Sequence, residues 1–226
     1  FAGFRMHWNK CRGLKRPLEV AVVTGVPPNL SYAAVARIPP ESSEYAVAGG
    51  ISGEPVELVH CKTVDLLVPA RAEIVIEGVM PTDESEWEGP FGEFPGYMAH
   101  EGLGFFVDVS CITMRHNPIY VAFLSQFPPS ESSKIRGTGS EGVVRKRLQA
   151  AGLDNVLDVG LHESGGSWGY LVVKITKHSD EDFDRIINAL RLGADVGKVL
   201  VVVDEGIDAR DPDSVNWSLS FRIQPH

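Results

Sequence analysis

The sequence predicts an α+β protein in which a β-rich first part is followed by a small α/β part. Between residues 44 and 113, runs of β-branched and aromatic residues are broken by Gly and Pro at short intervals. That pattern is typical of a barrel or sandwich rather than of a doubly wound parallel sheet. After residue 126, amphipathic helical patterns alternate with strand-length apolar runs. We therefore expect two domains, residues 1–126 and residues 127–226.

The first domain is predicted to consist mainly of strands. Residues 19–23 are the first clear strand, which Gly25 to Pro28 end. Asn29 is the predicted N-cap of a short helix over residues 31–36. Further strands are predicted at residues 56–59, 65–68, 73–77, 104–114 and 118–124. The basic residues before the first strand, Lys10, Arg12, Lys15 and Arg16, could meet a phosphate or form a solvated turn.

The second domain is predicted to alternate helices with buried strands. Residues 127–133 have the composition of a linker, and an amphipathic helix over 141–151 ends at Gly152. Strands follow at 156–161 and 168–175, then a helix from Ser179 to Leu192. The apolar run at 198–203 is long enough for a buried strand. The acidic residues after it, Asp204, Glu205 and Asp208, are interpreted as a solvated turn rather than a cation site.

The composition excludes several classes of function. Of the 226 residues, 43% are hydrophobic, which indicates a packed core, and the net charge of −9 lacks the basic stripe of a nucleic-acid binder. The sequence has no apolar run long enough for a membrane span. We therefore expect a small-molecule ligand. Three widely spaced cysteines fit neither a disulfide framework nor a zinc site and indicate the cytoplasm. Because the chain starts at Phe1, we expect the true amino terminus to lie upstream.

The segment from Trp87 to Tyr97 is the candidate site of chemistry. It carries Glu88 and Glu93, five residues apart, among several Gly and Pro residues. In a helix that spacing separates the side chains by roughly 140°, and in a strand it sends them to opposite faces. We therefore expect a loop. Phe91, Phe94 and Tyr97 could shield the acids from water, which would raise one carboxyl pKa and suit a general acid or base.

Two further patterns in the sequence are less specific. Residues 137–142 match the G-x-G-x-x-G dinucleotide pattern, but the polar residues 130–136 stand where that fingerprint needs a buried strand. N-capping of a helix by Thr138 or Ser140 is the ordinary explanation. His7 and Glu44 together would be a ligand pair suited to Mn²⁺ or a similar cation, especially beside a phosphate. From spacing alone, a structural role is the more ordinary explanation, because a lone histidine is more often a hydrogen-bonded structural residue than a metal ligand.

The glutamate segment has a specific family resemblance. Glu88-Gly89-Pro90-Phe91-Gly92-Glu93, with Gly96-Tyr97 after it and Glu73-Ile74-Val75-Ile76-Glu77-Gly78 before it, resembles the UbiD family of prenylated-FMN-dependent decarboxylases. The likeness extends back to residues 25–28 and 57–70 and forward to residues 201–208. It implies a split β-barrel flavin-binding domain over residues 1–126, followed by an α/β domain similar to the region that this family uses for self-association. A homo-oligomer is the implied state.

The resemblance also implies residue roles. Glu93 matches the glutamate that returns a proton after carbon dioxide leaves, and Glu88 matches the one that supports a catalytic arginine. His7 and Glu44 match ligands of a divalent metal, usually Mn²⁺ with K⁺ nearby, that ties the cofactor phosphate to the protein. Met6 and Phe94 match positions bordering the substrate pocket, and residues from Tyr120 to Ser125 are placed near the flavin.

The family arginine and a metal-binding asparagine precede the position of Phe1 and have no counterpart here. The resemblance therefore implies reversible decarboxylation of an aromatic, heteroaromatic or α,β-unsaturated acid by a longer protein, or with an amino-terminal segment supplied by another subunit. Two alternatives remain: a flavin-binding or assembly subunit without catalysis of its own, and an unrelated hydrolase using Glu88 and Glu93 as acid and base.

Overall fold

The computed structural model describes residues 2–35, 38, 42–190 and 197–223. The chain forms two compact units, and each is made from two stretches of sequence. The first unit contains Phe1–Pro90 and His100–Ala122, and the second contains Phe91–Ala99 and Phe123–His226. The segment around Glu93 is thus grouped with the second unit, although it lies within the first half of the chain. The α+β class predicted from the sequence is confirmed.

The first unit is built on an antiparallel sheet with three helices. Its central strand β4 (Ile74–Met80) pairs with β1 (Leu18–Thr24) on one side and β7 (Asp108–Met114) on the other. Two short ribbons accompany this sheet, β2 (Leu58–His60) with β3 (Leu67–Pro69) and β5 (Glu86–Glu88) with β6 (Gly102–Gly104). The helices are α1 (Ala2–Gly13), α2 (Pro28–Val35) and α3 (Glu44–Ser52).

A buried carboxylate ties the first ribbon to the central strand. Glu77 on β4 is 1% exposed, and it accepts hydrogen bonds from the backbone N–H of Lys62 at 2.8 Å and of Thr63 at 2.7 Å. The Thr63 hydroxyl donates to the same carboxylate at 2.9 Å. The Lys62 amide is the largest of the contributions that lower the pKa of Glu77 below its ordinary value. The turn between β2 and β3 is therefore fixed by a charged acceptor.

The second unit packs helices against a mixed three-stranded sheet. Its strands are β8 (Val156–Leu161), β9 (Tyr170–Ile175) and β10 (Val199–Asp204), with β9 central, parallel to β10 and antiparallel to β8. Its helices are α4 (Glu131–Ala150), α5 (Asp182–Leu190) and α6 (Pro212–Phe221). Leu148, Leu171 and Ile186 are fully buried where α4, β9 and α5 meet. Burying such a side chain stabilises the fold by about 1.5–3 kcal/mol.

The structure confirms the strands with strong apolar patterns and corrects several helix assignments. The predicted strands at 19–23, 73–77, 156–161 and 198–203 all exist, with small shifts at their ends. Helices α1, α3 and α6 were not predicted, and α3 lies where β structure was expected. The predicted strand at 118–124 is wrong, because those residues have no regular structure. The turn after β10 is confirmed, with the Ile207 amide donating to the Asp204 carbonyl oxygen at 3.2 Å.

Two capping predictions are wrong for identifiable reasons. Asn29 lies inside α2 rather than at its cap, and its side-chain amide donates to the carbonyl oxygen of Ala48 on α3 at 3.0 Å. Helix α4 begins at Glu131, about ten residues before the predicted start, because Ser130 and Ser133 form a reciprocal capping box. The predicted ends of two helices, at Ala36 and Leu192, lie outside the described residues.

The early start of α4 also explains the glycine pattern. Gly137, Gly139 and Gly142 all lie within this helix, and Thr138 and Ser140 are interior residues rather than caps. The strand-to-helix turn that a dinucleotide fingerprint requires is therefore not formed at this place.

Candidate active site

Residues 91–99 form a small hairpin that carries Glu93. The N–H of Glu93 donates to the carbonyl oxygen of Tyr97 at 2.8 Å, and the N–H of Gly96 donates to the carbonyl oxygen of Glu93 at 3.0 Å. A further bond joins the Ala99 amide to the Phe91 carbonyl oxygen at 2.8 Å. Gly96 has a φ of +91°, which few residues other than glycine adopt. The prediction that Glu93 lies in a loop is confirmed, and the loop is a tight, hydrogen-bonded turn.

Glu88 lies differently from the prediction. It is the last residue of β5 and pairs with Gly102 of β6, so the loop begins only at Gly89. The Glu86-Trp87-Glu88 segment can form a strand because Gly and Pro begin after it. Glu88 belongs to the first unit and Glu93 to the second. The side chain of Glu88 extends over Gly104, because a Cβ added at Gly104 would lie 2.9 Å from Oε2 of Glu88.

The hairpin lines an open cavity of about 420 Å³. Glu93 is one of the residues that line it, and the others come from the hairpin and from the segment that follows β7: Gly92, Gly96, Tyr97, Met98, Phe123, Leu124, Ser125, Gln126 and Phe127. Several of these apolar side chains, including Tyr97 and Phe127, remain largely exposed. Large apolar groups gathered at an open cavity are typical of a ligand surface.

Helix α4 holds one wall of this cavity. The Leu124 amide donates to Oε2 of Glu131 at 2.7 Å, and the Ser132 hydroxyl donates to that of Ser125 at 2.9 Å. The two residues of α4 that make these bonds, Glu131 and Ser132, lie in the first turn of the helix. Residues 123–125 do not form the predicted strand. Their hydrogen bonds to helix α4 hold the irregular segment in place instead.

The aromatic residues near the glutamates do not shield them from water in the described chain. The side chains of Glu88 and Glu93 are exposed, and Phe91 is 48% exposed. Removal of water from Glu93 would thus depend on whatever fills the cavity. The catalytic roles of the two glutamates remain predictions.

Phe94 packs under an arginine that the sequence analysis did not single out. The guanidinium carbon of Arg136 lies 4.2 Å from the centroid of the Phe94 ring. Both side chains are half-buried, and burial lowers the pKa of Arg136. Arg136 is the last of the polar residues 130–136 that precede the glycine pattern, and no local sequence pattern marks it as a functional residue.

Met6 and His7 are exposed on α1, which is anchored by its aromatic residues. Nε1 of Trp8 donates to the carbonyl oxygen of Pro81 at 3.1 Å. The ring of Phe105 packs against Phe4 and Trp8, with centroid distances of 5.5 and 5.0 Å. These contacts fix the helix and leave the side chains of Met6 and His7 directed to solvent.

Glu44 is the first residue of α3, and its side chain is exposed. Helix α3 is held by Ala48, which is buried against Leu30 and Ala33 of α2. No hydrogen bond or ion pair joins His7 or Glu44 to another described residue, so both donors are available. Within the described ranges, no group of three or more His, Cys, Asp and Glu side chains could hold a metal ion. An imidazole and a carboxylate suit Mn²⁺ chemically, but they would supply only part of its coordination shell.

Comparison with known proteins identifies the family. Residues 2–127 match the model of the 3-octaprenyl-4-hydroxybenzoate carboxy-lyase Rift-related domain, and residues 135–226 match the C-terminal domain of the same enzymes. The chain therefore belongs to the UbiD family. It is 36% identical over 222 residues to an uncharacterized protein of Aquifex aeolicus, covering 97% of this chain and 45% of that protein. A protein of Archaeoglobus fulgidus, also uncharacterized, is 35% identical over 210 residues, covering 92% of this chain and 43% of the relative.

Solved structures show the same fold. An evolved dimeric form of the UbiD-class enzyme HmfF from Pelotomaculum thermopropionicum, in complex with prFMN, matches with a TM-score of 0.89 and 34% identity over 98% of this chain and 51% of that one. The apo 3,4-dihydroxybenzoic acid decarboxylase AroY of Klebsiella pneumoniae matches with a TM-score of 0.83 and 27% identity, covering 98% and 48% of the two chains. The chain thus spans about half the length of the relatives it matches.

Among the described residues, no helix combines the length and the apolar character needed to cross a membrane.

Proposed function

We propose that this chain is part of a UbiD-type carboxy-lyase, which reversibly decarboxylates an aromatic, heteroaromatic or α,β-unsaturated acid with prenylated FMN. The observation that carries the proposal is the position of Glu93, on a hydrogen-bonded hairpin that lines a cavity with aromatic walls. Family membership and the prFMN complex of the HmfF structure support the choice of reaction and cofactor.

The proposed chemistry needs a proton donor close to the reacting carbon. The bond from that carbon to the substrate carboxylate breaks, its electron pair stays on the carbon, and carbon dioxide leaves. Glu93 then transfers its proton to the same carbon and becomes a carboxylate. Prenylated FMN, when bound, supplies the electron sink that stabilises the charge left on the substrate. A substrate that covers the exposed Glu93 would exclude water from the carboxyl group during proton transfer.

Glu88 has a separate part in this proposal. It would hold the family's catalytic arginine, which we propose an amino-terminal segment or another subunit supplies, so that the guanidinium meets the substrate carboxylate as a paired group. The position of Glu88 at the end of a paired strand supports such a positioning role, because a strand holds its side chain more rigidly than a loop does.

His7 and Glu44 would bind a divalent cation, proposed to be Mn²⁺ with K⁺ nearby, that fixes the cofactor phosphate. The donor types and the exposed, uncommitted state of both side chains support this assignment. Met6 and Phe94 would border the bound ligands. We also propose a cytoplasmic homo-oligomer, which the dimeric HmfF structure and the three free cysteines support.

The proposal is tested with the full-length protein produced together with prenylated FMN. The expected result is a bound flavin spectrum and release of carbon dioxide from at least one acid in a panel of benzoic, furoic and cinnamic acids. Saturated analogues, in which the charge left on carbon has no adjacent π system, should release none. A protein that binds no flavin, or that binds it and releases no carbon dioxide from the panel, would contradict the proposed activity.

A further inference from the structure

Arg136 is a half-buried cation with an aromatic support. Its guanidinium stacks on Phe94 at 4.2 Å from the ring centroid, and Phe94 directly follows Glu93 in the hairpin. Stacking of this kind leaves the edge of the guanidinium free, and the edge carries its hydrogen-bond donors.

The charge of Arg136 is not neutralised by the described residues around it. Its hydrogen bond is a long one, 3.5 Å from Nη1 to the carbonyl oxygen of Gly166, and no carboxylate of the described chain lies within ion-pair distance. Two other arginines of the same unit do form ion pairs with a carboxylate. Arg145 and Arg210 contact Asp158 at 2.8 and 2.9 Å. A guanidinium that is half-buried without an anion keeps most of its five donors unused.

The backbone that carries Arg136 is held in place. It lies in the second turn of α4, after the Ser130 capping box, and its neighbour Gly137 is buried. A Cβ at Gly137 would lie 3.0 Å from Ser167, so the helix closely approaches the turn that contains Gly166. The cation is therefore pre-organised, which lowers the entropic cost of binding an anion.

We infer that Arg136 determines substrate specificity by binding a second carboxylate of the substrate, distinct from the one that leaves as carbon dioxide. The inference rests on the proposed function, which places the reacting carbon at Glu93, the residue before Phe94. A guanidinium edge matches a carboxylate in a bidentate arrangement. The cofactor phosphate is the other source of anionic oxygen, but the same proposal gives it to the cation at His7 and Glu44. A preference for dicarboxylic over monocarboxylic acids follows.

The experiment compares an aromatic dicarboxylic acid with the corresponding monocarboxylic acid in the full-length, flavin-loaded protein. For wild type we expect the dicarboxylic acid to have the higher kcat/KM. Arg136→Met should reduce the ratio of the two kcat/KM values about 10–100-fold, mainly through KM, because one charge-assisted pair is lost. Arg136→Lys should restore part of the ratio, since it keeps the charge without the planar fork.

The matched control is Arg222→Met. Arg222 also stacks on an aromatic ring, that of Trp217 at 5.0 Å, but it is paired with Asp204 at 3.0 Å. This variant should keep the wild-type ratio. Flavin content and the thermal unfolding of each variant are measured in parallel.

Two outcomes would overturn the inference: an unchanged ratio in Arg136→Met, or a loss of bound flavin in that variant, which would assign the arginine to the cofactor phosphate. Failure of the proposed function is distinguishable, because it would appear as no carbon dioxide release by wild type. Calorimetric binding of the dicarboxylic acid to wild type and to Arg136→Met then still tests the contact, and equal affinities would contradict it.

Discussion

The backbone N–H of Glu93 donates to the carbonyl oxygen of Tyr97 at 2.8 Å, so the predicted proton donor belongs to a hydrogen-bonded hairpin rather than to a loose loop. The backbone position of Glu93 is thus fixed by the turn that returns the chain from Phe94 to Tyr97. Since proton transfer requires a donor within hydrogen-bond reach of the reacting carbon, the conformation of this turn should control turnover.

Gly96→Ala tests the turn. An alanine would hold a strained positive φ and its Cβ would overlap Cδ2 of Phe127, a wall of the cavity. We expect the free energy of unfolding to fall by about 1–3 kcal/mol from backbone strain. We also expect turnover of the full-length protein to fall about 10–100-fold through misplacement of Glu93.

The control for this change is Gly89→Ala, because a Cβ at Gly89 would contact nothing within 4 Å. Gly89→Ala should leave the free energy of unfolding and the turnover close to the wild-type values. Thermal unfolding and carbon dioxide release measure the two effects. Wild-type turnover in Gly96→Ala would show that the turn does not position the acid.

His7→Ala tests the proposed cation site. In the flavin-loaded full-length protein, removal of the imidazole should weaken Mn²⁺ binding at least about 10-fold, because even indirect partners of metal ligands carry effects of that size. Glu44→Gln should act in the same direction. Electron paramagnetic resonance of free and bound Mn²⁺ gives the affinity.

His60→Ala is the matched control, since His60 is another exposed histidine of the same unit, on β2. It should not alter Mn²⁺ affinity. If His7→Ala and His60→Ala bind the ion equally well, His7 is not a ligand.

Glu77 gives a prediction on acid stability. Its folded-state pKa is lowered below the ordinary value of 4.5, first by the Lys62 amide, so its contribution to stability is complete above the unfolded pKa and lost as the pH falls through the folded pKa. Glu77→Gln should therefore lower the melting temperature at neutral pH and bring it closer to that of wild type below pH 4.5.

Hydrogen exchange at the Lys62 and Thr63 amides reports on the same contact, because both donate to Glu77. Exchange should become faster in Glu77→Gln and remain unchanged in Glu54→Gln, where the carboxylate is exposed. Equal acid sensitivity of the three proteins would contradict this explanation.

The sequence predicted the strands well because their signal is local. The alternation in β4 and the continuous apolar run in β10 are properties of the residues themselves, and both strands were confirmed. Helix α1 was missed because its stability comes from tertiary contacts, Trp8 with Pro81 and both Phe4 and Trp8 with Phe105. Such contacts between residues far apart in the chain leave no periodic pattern.

The candidate site, too, could be predicted from the sequence only where its signal is local. The spacing of the glutamates among Gly and Pro residues predicted a loop, and the structure has a tight hairpin at Glu93. The stacking of Arg136 on Phe94 joins residues more than forty positions apart, and only the fold brings them together. The grouping of residues 91–99 with the second unit was equally out of reach, because it depends on packing rather than on composition.

The most direct test of the account is steady-state formation of the protonated product by Glu93→Gln in the full-length protein with bound prenylated FMN. A glutamine keeps the size of the side chain and leaves the backbone hydrogen bonds of the hairpin intact, but it has no acidic proton to donate. We predict wild-type flavin content with turnover reduced at least about 100-fold, as expected for loss of a general acid. Undiminished steady-state formation of the protonated product by Glu93→Gln would contradict the role of Glu93 as the proton donor.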